Sequence, residues 1–302
     1  SVAFQYQNST GFPFGGFWGV DFYKDFNFQL QFYNRDQNTL IELFNGISLW
    51  GRYPYNFGNS LSANHILNYS FQFMDRVALF DTTQFSSDVF DYPESGKEGS
   101  INLRYAFLNK RNHARNMFSP NQGYGLELIM KKSTPSLWGD FDYLKTEVDI
   151  YTNRKIGPFS LYGRGRYEKL NGSPPPQEKL GIVDIPNYYI AGALTPGREF
   201  MSPRGYSGKR MGDQAFMGTI ELRAPVVPLN IIEVLKVIKF GKPTIALISD
   251  FGNAWNEGSK MGDWIVTTGA EFRLSLTLAN APLFIFSYGW AQSPEKWNKD
   301  WE

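Results

Sequence analysis

The chain has 302 residues, a formal net charge of +1 and no cysteine. The charge balance argues against a nucleic-acid partner, because binding along phosphates needs a concentrated basic surface. The absence of cysteine excludes disulfide bonds, thiolate nucleophiles and cysteine-ligated zinc. Hydrophobic residues make up 42% of the chain although the mean hydropathy is −0.36, and no stretch approaches the roughly 18 uninterrupted apolar residues that a membrane helix needs.

Alternation of apolar and polar residues recurs from one end of the sequence to the other and predicts β-strands. Ile101, Leu103 and Tyr105, for example, alternate with Asn102 and Arg104. Segments of this kind lie near residues 3–9, 15–23, 26–34, 38–50, 61–75, 78–90, 98–108, 122–132, 141–154, 157–168, 214–225, 242–255, 262–277 and 281–292.

Two features of these segments favour a transmembrane barrel over a soluble sandwich or propeller. Their apolar faces are rich in Phe, Tyr, Leu and Trp, as expected for a lipid-facing band with aromatic girdles. They are also long, about 9–14 residues, whereas strands of globular sheets average about 5–6. We therefore expect residues 1–302 to form a single all-β domain, a transmembrane antiparallel barrel of about 16 strands when complete, because such barrels have even strand numbers.

Two stretches interrupt the alternation. Residues 169–213 form the longer one, and a structureless segment of this length predicts a functional loop. Residues 229–240 predict either a short amphipathic helix, which would lie at the membrane interface on the side opposite the long loop, or a continued strand.

The end of the long loop combines glycines with cations. Gly205, Gly208 and Gly212 are expected to serve tight turns and close backbone approach. Arg204 precedes the first of these glycines, and the strand that follows places Glu221 on its polar face. This arrangement predicts a loop that folds back into a polar cavity. A phosphate-binding loop is the alternative, but the pattern of such loops is absent.

Several motifs in order resemble the BamA/two-partner-secretion superfamily of barrels. They are Pro203-Arg204-Gly205-Tyr206, Gly212-Asp213, a strand containing Glu221-Leu222-Arg223, and the stretch Ile248-Ser249-Asp250-Phe251-Gly252-Asn253-Ala254-Trp255. The resemblance covers residues near 100–292. It implies an outer-membrane barrel of a Gram-negative-type bacterium whose sixth extracellular loop folds into the lumen. There Arg204, with Gly205 and Tyr206, would form a latch by bonding Asp250 close to Glu221.

The sequence departs from the family pattern in three places. Pro203 stands where the family has valine, which stiffens the loop tip. The family's last strand ends in an aromatic residue, whereas this sequence ends in Lys-Trp-Asn-Lys-Asp-Trp-Glu, so we expect the final strand to be missing. No segment resembles the periplasmic POTRA repeats that precede such barrels, which suggests a fragment of a longer chain.

The resemblance implies protein insertion or translocation, carried out without enzymatic chemistry. Its implied partners are outer-membrane lipid and either unfolded client proteins or accessory periplasmic subunits. A seam between the first and last strands would open laterally, and a missing last strand would leave an edge on Ala281–Gln292. Two alternatives remain open: a passive barrel that anchors a separate enzymatic or binding domain, and a diffusion porin.

Catalytic and metal-binding residues are not evident in the sequence. His65 lies at the start of a predicted strand and His113 in a basic turn, and neither has a nucleophile or carboxylate at strand spacing. We therefore expect no enzymatic activity, no metal site and no cofactor.

Overall fold

In the computed structural model, the described part of the chain comprises residues 2–8, 16–33, 36–55, 63–79, 94–110, 122–183, 201–226, 232–234, 238–240, 243–259, 262–278 and 281–293. Its strands are β1 (Val2–Asn8), β2 (Phe17–Tyr33), β3 (Asp36–Tyr55), β4 (Ala63–Leu79), β5 (Gly96–Lys110), β6 (Gly123–Ser133), β7 (Asp142–Ile156), β8 (Phe159–Ser173), β9 (Leu180–Val183), β10 (Lys209–Gly212), β11 (Gln214–Pro225), β12 (Ile232–Val234), β13 (Ile238–Phe240), β14 (Thr244–Trp255), β15 (Ile265–Leu278) and β16 (Ala281–Gln292). Short 3-10 turns form at Pro135–Leu137 and Pro176–Glu178.

One antiparallel sheet of 14 strands contains every one of these strands except β9 and β10. Its path runs through β1 to β8 and continues through β11, β14 and β15 to β16. Of the three-residue strands, β13 pairs with β15, and β12 pairs with β13. Neighbours along the main path are joined in sequence order, and the longest connection, between β8 and β11, contains β9 and β10.

The two faces of the sheet differ as the alternation predicts. Phe71, Leu103 and Phe272 are 39%, 39% and 40% exposed, so they lie on the outer face. Glu221 and Asp250 are only 3% and 0% exposed and lie on the enclosed face. An apolar exterior around a charged interior is the arrangement of a transmembrane barrel, in which lipid contacts one face of every strand. The predicted fold class is confirmed.

The predicted strand boundaries near the N-terminus were wrong in one respect. Residues 15–23 and 26–34 were predicted as separate strands, but they form the single 17-residue strand β2. Its pairing with β3 continues through Lys24 and Asp25 without a break. Backbone hydrogen bonding holds this ladder together, so a pair of charged side chains does not end it. Of the segment predicted at 78–90, residues 80–90 lie outside the described part of the chain.

The segment 169–213 is more ordered than the sequence predicts. β8 extends to Ser173, and β9 pairs with β10 in a separate antiparallel sheet with Leu180 opposite Gly212. Four-residue strands are too short to give a clear alternation, which explains why they were missed. Residues 184–200 of this segment lie outside the described part.

The helical alternative for residues 229–240 was wrong. Ile232–Val234 and Ile238–Phe240 are strands that pair with each other, and the second also pairs with the end of β15. β-branched residues in this stretch fit a pleated sheet better than a helix.

None of the helices in the described residues is both long and apolar enough to span a membrane.

Candidate functional site

The loop segment Met201–Gly208 enters the enclosed face of the sheet. Met201 is 3% exposed and bridges to Ile182 of β9. Pro203 is fully buried, and its carbonyl accepts a hydrogen bond of 3.2 Å from the Tyr206 backbone N–H. The turn closed by this bond presents Arg204 to the walls formed by β11, β14 and β15.

Arg204 makes its main contacts with Asp250 of β14. Its Nε donates to Oδ2 at 2.7 Å and its Nη2 donates to Oδ1 at 2.7 Å, so guanidinium and carboxylate pair through two parallel bonds. The backbone N–H of Arg204 donates to the same Oδ2 at 3.0 Å. Asp250 is fully buried and also accepts from the Thr219 hydroxyl at 2.8 Å. Charge-assisted, bidentate pairs of this kind fix both position and orientation.

Glu221 of β11 is the second partner of the loop. Arg204 Nη1 donates to its Oε1 at 2.8 Å. Two wall arginines share the same carboxylate: Arg223 Nε donates to Oε2 at 2.7 Å, and Arg273 donates to both oxygens at 2.9 and 3.0 Å. Arg273 Nη2 also donates to Glu271 Oε2 at 2.8 Å. The same oxygen accepts from Arg204 Nη1 at 3.4 Å.

These residues form a charge-balanced group that we call the latch cluster, consisting of Arg204, Glu221, Arg223, Asp250, Glu271 and Arg273. Its three guanidinium groups face three carboxylates, so burial does not leave a net charge uncompensated. Burial by itself lowers the pKa of Arg204, but hydrogen bonds and charge attraction from Asp250 and Glu221 outweigh that effect and raise the pKa above its ordinary value. Arg204 is therefore a charged member of the latch cluster, as arginine is in proteins generally.

The three predicted loop glycines all lie in crowded places. Gly205 has a φ of +76°, and a Cβ there would lie 2.0 Å from the Ala291 carbonyl oxygen of β16. A Cβ on Gly212 would lie 2.2 Å from the Trp255 carbonyl oxygen, and one on Gly208 would meet the Tyr206 ring. The loop backbone thus runs directly against the barrel wall, as expected where glycine permits close approach.

An apolar group fills the space beside the latch cluster. Tyr206 and Met217 pack against a buried group of wall and loop side chains: Phe141, Tyr143, Leu170, Leu180, Ile182, Met201, Ala215, Ala254 and Ile265. Side chains of the loop and of the wall therefore share one apolar core.

The sequence predicted Arg204, Asp250 and Glu221 as neighbours, and the structure brings these three together. Glu271, Arg273 and Thr219 were not singled out. Glu271 and Arg273 lie on the polar face of an alternating strand. Nothing in the sequence fixes the register that sets them opposite Ala246 and Thr244. Register is a tertiary property when several polar residues share one face.

Other charges on the enclosed face are also paired. Arg164 donates to Asp149 through Nε and Nη2, and Arg166 lies 3.0 Å from Glu147. His65 lies on the opposite, outer face of β4, which also carries Leu67 and Phe71. Its Nδ1 lies 2.7 Å from the Tyr105 hydroxyl, and its ring is tilted against that of Phe107 at 4.6 Å between centroids. Within the described residues, no group of three or more His, Cys, Asp or Glu is arranged to hold a metal ion. His113 lies outside the described part.

Solved structures share this fold. BamA from Haemophilus ducreyi, in a form lacking POTRA domains 1–3, matches with a TM-score of 0.59 and 10% identity over 96% of this chain and 61% of that chain. CdiB from Escherichia coli matches with a TM-score of 0.55 and 12% identity over 96% of this chain and 53% of that chain. This chain thus spans less than two thirds of either protein. No protein-family model matches the sequence, and no curated protein does.

Sequence identity this low establishes likeness of fold. The main sheet, the enclosed charges and the loop seated against β11, β14 and β15 together agree with the predicted resemblance. The chain has the fold of the outer-membrane β-barrels of BamA and CdiB.

Proposed function

We propose that this chain is the barrel domain of an outer-membrane protein that inserts or translocates other proteins, and that Arg204 latches its long loop to Asp250 and Glu221. The barrel lies in the outer membrane of a Gram-negative-type bacterium and acts without enzymatic chemistry. Its partners are outer-membrane lipid and either unfolded client proteins or accessory periplasmic subunits. The observation that carries the proposal is the latch cluster, which joins the loop to three consecutive wall strands.

The geometry supports a fixed loop rather than a freely moving one. Asp250 and Glu221 are almost fully buried, and each accepts several hydrogen bonds from arginine. Pulling Arg204 out of this cluster would leave two buried carboxylates with fewer cations, which costs about 3–5 kcal/mol when one partner of a buried pair is removed. The latch therefore holds the loop inside the lumen and braces β11, β14 and β15 against one another.

The end of the sheet supports client handling. Within the described residues, β16 pairs with β15 and β1 pairs with β2, and neither is joined to a further strand. Tyr288 and Trp290 of β16 are 85% and 56% exposed. The edge of a sheet is a template for an incoming strand, which is how a client strand would begin to pair with the barrel.

Reconstitution tests both halves of the proposal. Purified protein in lipid vesicles should speed the insertion of an unfolded outer-membrane barrel protein above the rate in empty vesicles, measured as the protease-resistant fraction over time. Arg204→Ala should lower the temperature at which the barrel unfolds in semi-native gels. Arg104→Ala is the matched control. Arg104 is a lumen arginine whose side chain is 54% exposed and forms an ion pair with Glu127. Its replacement should therefore cost only the about 0–1 kcal/mol that an exposed ion pair contributes to stability.

The client activity and the latch can each be contradicted without the other. Insertion no faster than in empty vesicles would contradict the client activity and leave a passive anchor. A large, steady single-channel conductance would instead favour a diffusion porin, because a lumen occupied by the loop should pass little current. Equal unfolding temperatures for Arg204→Ala and Arg104→Ala would contradict the latch alone.

A further inference from the structure

We propose that the long loop has a second anchor, separate from the latch cluster, on the wall formed by β4, β5 and β6. The loop contributes the 3-10 turn Pro176–Glu178, which we call the anchor turn. The wall contributes Arg76, Glu98 and Lys131, which we call the acceptor group. The inference stands on the fold and on these contacts, and it does not depend on the client activity.

The anchor turn is bound by side chain and backbone together. Glu178 Oε1 accepts from Arg76 Nη1 at 2.9 Å. The Gln177 side chain, on a residue only 2% exposed, pairs with the backbone of Glu94 in both directions: its Oε1 accepts from N–H at 3.0 Å and its Nε2 donates to the carbonyl at 2.8 Å. A side-chain amide that reproduces a strand-like pair of bonds fixes the turn in one register.

The acceptor group needs a carboxylate from the loop. Arg76 and Glu98 are 3% and 1% exposed, and they pair at 2.5 Å. Lys131 Nζ lies 2.5 Å from the other oxygen of Glu98. The wall alone therefore holds two cations and one carboxylate in a buried place, and Glu178 makes the charges equal. A buried ion group is stable only when its charges are compensated.

The two anchors lie on different parts of the barrel. The step from β5 to β14 is five strands along the sheet path. The loop nevertheless passes from Glu178 to Ile182, which lies against Gly252 of β14, within four residues. Four extended residues reach at most about 14 Å. The loop is thus a short strap that crosses the lumen from one wall to the other, at the end where β8 finishes and β11 begins.

Trypsin cleavage after Lys179 reports release of this strap. Glu178→Gln removes the charge without changing the size of the side chain, and it should raise the rate of cleavage at Lys179 in the folded barrel about tenfold, since proteolysis follows the population of the opened loop. Glu257→Gln is the matched control, because Glu257 is a loop carboxylate in an ion pair of 3.0 Å with Lys169 and has its side chain 62% exposed. It should change the rate less than about twofold.

Two further variants make the test independent of folding defects. Gln177→Ala keeps every charge in place and should also raise cleavage at Lys179. The double variant Arg76→Gln with Glu178→Gln restores charge balance around Glu98 and Lys131, so it should be cleaved more slowly than the product of the two single effects predicts.

Cleavage of Glu178→Gln and Gln177→Ala no faster than that of Glu257→Gln would overturn the second anchor. Arg204→Ala separates the two anchors, because it leaves the acceptor group untouched and should keep cleavage at Lys179 slow. Equal acceleration by Arg204→Ala and Glu178→Gln would mean that the loop has a single anchor, which also overturns the proposal. If the latch between Arg204 and Asp250 were contradicted, the cleavage rate at Lys179 expected for Glu178→Gln would stay the same.

Discussion

Geometry explains why position 204 is occupied by arginine. Its guanidinium reaches carboxylates on three strands, with paired bonds to Asp250, a third bond to Glu221 and a longer one to Glu271. Its backbone N–H also donates to Asp250. A lysine would carry the same charge but would bind as a single point, without the planar fork that matches a carboxylate. The residue thus sets the orientation of the loop tip as well as its attachment.

Backbone geometry and crowding explain why position 205 is occupied by glycine. Its φ of +76° disfavours any residue with a Cβ, and a Cβ would meet the Ala291 carbonyl oxygen at 2.0 Å. Gly205→Ala should therefore combine backbone strain with a clash that separates the loop tip from β16. Gly258→Ala is a matched control, because Gly258 has a φ of +80° and no neighbour within 4 Å, so strain of about 1–2 kcal/mol acts there alone.

Urea unfolding of both variants in lipid vesicles measures the difference. We expect the larger loss of unfolding free energy for Gly205→Ala, together with faster protease access to the loop tip. Losses of equal size would mean that the contact between Gly205 and β16 contributes nothing to stability.

At the scale of single strands, alternation is the organising feature. On β14, Ile245 and Leu247 are 42% and 56% exposed while Ala246 and Ile248 are 0% and 6% exposed. Neighbouring residues therefore meet different surroundings, lipid on one side and the packed or wet interior on the other, because successive side chains of a strand point to opposite faces.

Adjacent substitutions on β4 test which face contacts lipid. Phe71 is 39% exposed on the outer face, and Ser70 is its neighbour on the enclosed face. Phe71→Lys should lower the free energy of unfolding by about 2–4 kcal/mol if it lies near the bilayer midplane, because lysine there is dehydrated. Ser70→Lys enters a polar interior and should lose much less. Urea unfolding in vesicles, followed by tryptophan fluorescence, gives both values, and the reverse order would contradict the inside-out arrangement.

At the scale of the whole molecule, contacts hold the loop to two walls of a sheet whose end strands among the described residues are β1 and β16. The loop links β4 with β14 through Glu178, Ile182 and Arg204, so it braces parts of the sheet that are distant along the path. Among the described strands, no backbone ladder joins β1 to β16. Opening is therefore expected at the seam, where the fewest backbone hydrogen bonds must break.

Cross-linking tests where the sheet opens. The chain contains no cysteine, so introduced cysteines would be its only thiols. Phe272 and Tyr288 are opposite partners on β15 and β16, and cysteines at these two positions should form a disulfide readily, since opposite Cβ atoms lie about 4.5–5.5 Å apart. Cysteines at Phe4 of β1 and Tyr288 should cross-link far more slowly. Equal rates for the two pairs would show a closed seam and would argue against lateral opening.

The sequence alone determined the barrel and the faces of its strands, because each strand's alternation records which side contacts lipid. It also identified Arg204, Asp250 and Glu221, since a recognisable motif and the polar face of a strand are both local features. Only the tertiary structure decided the rest. Strand register brings Glu271 and Arg273 into the latch cluster. Arg76 donates to Glu178, which lies 102 positions later in the sequence, and Glu98 pairs with both Arg76 and Lys131. Such meetings depend on how strands align and where a loop lands, which no local pattern specifies.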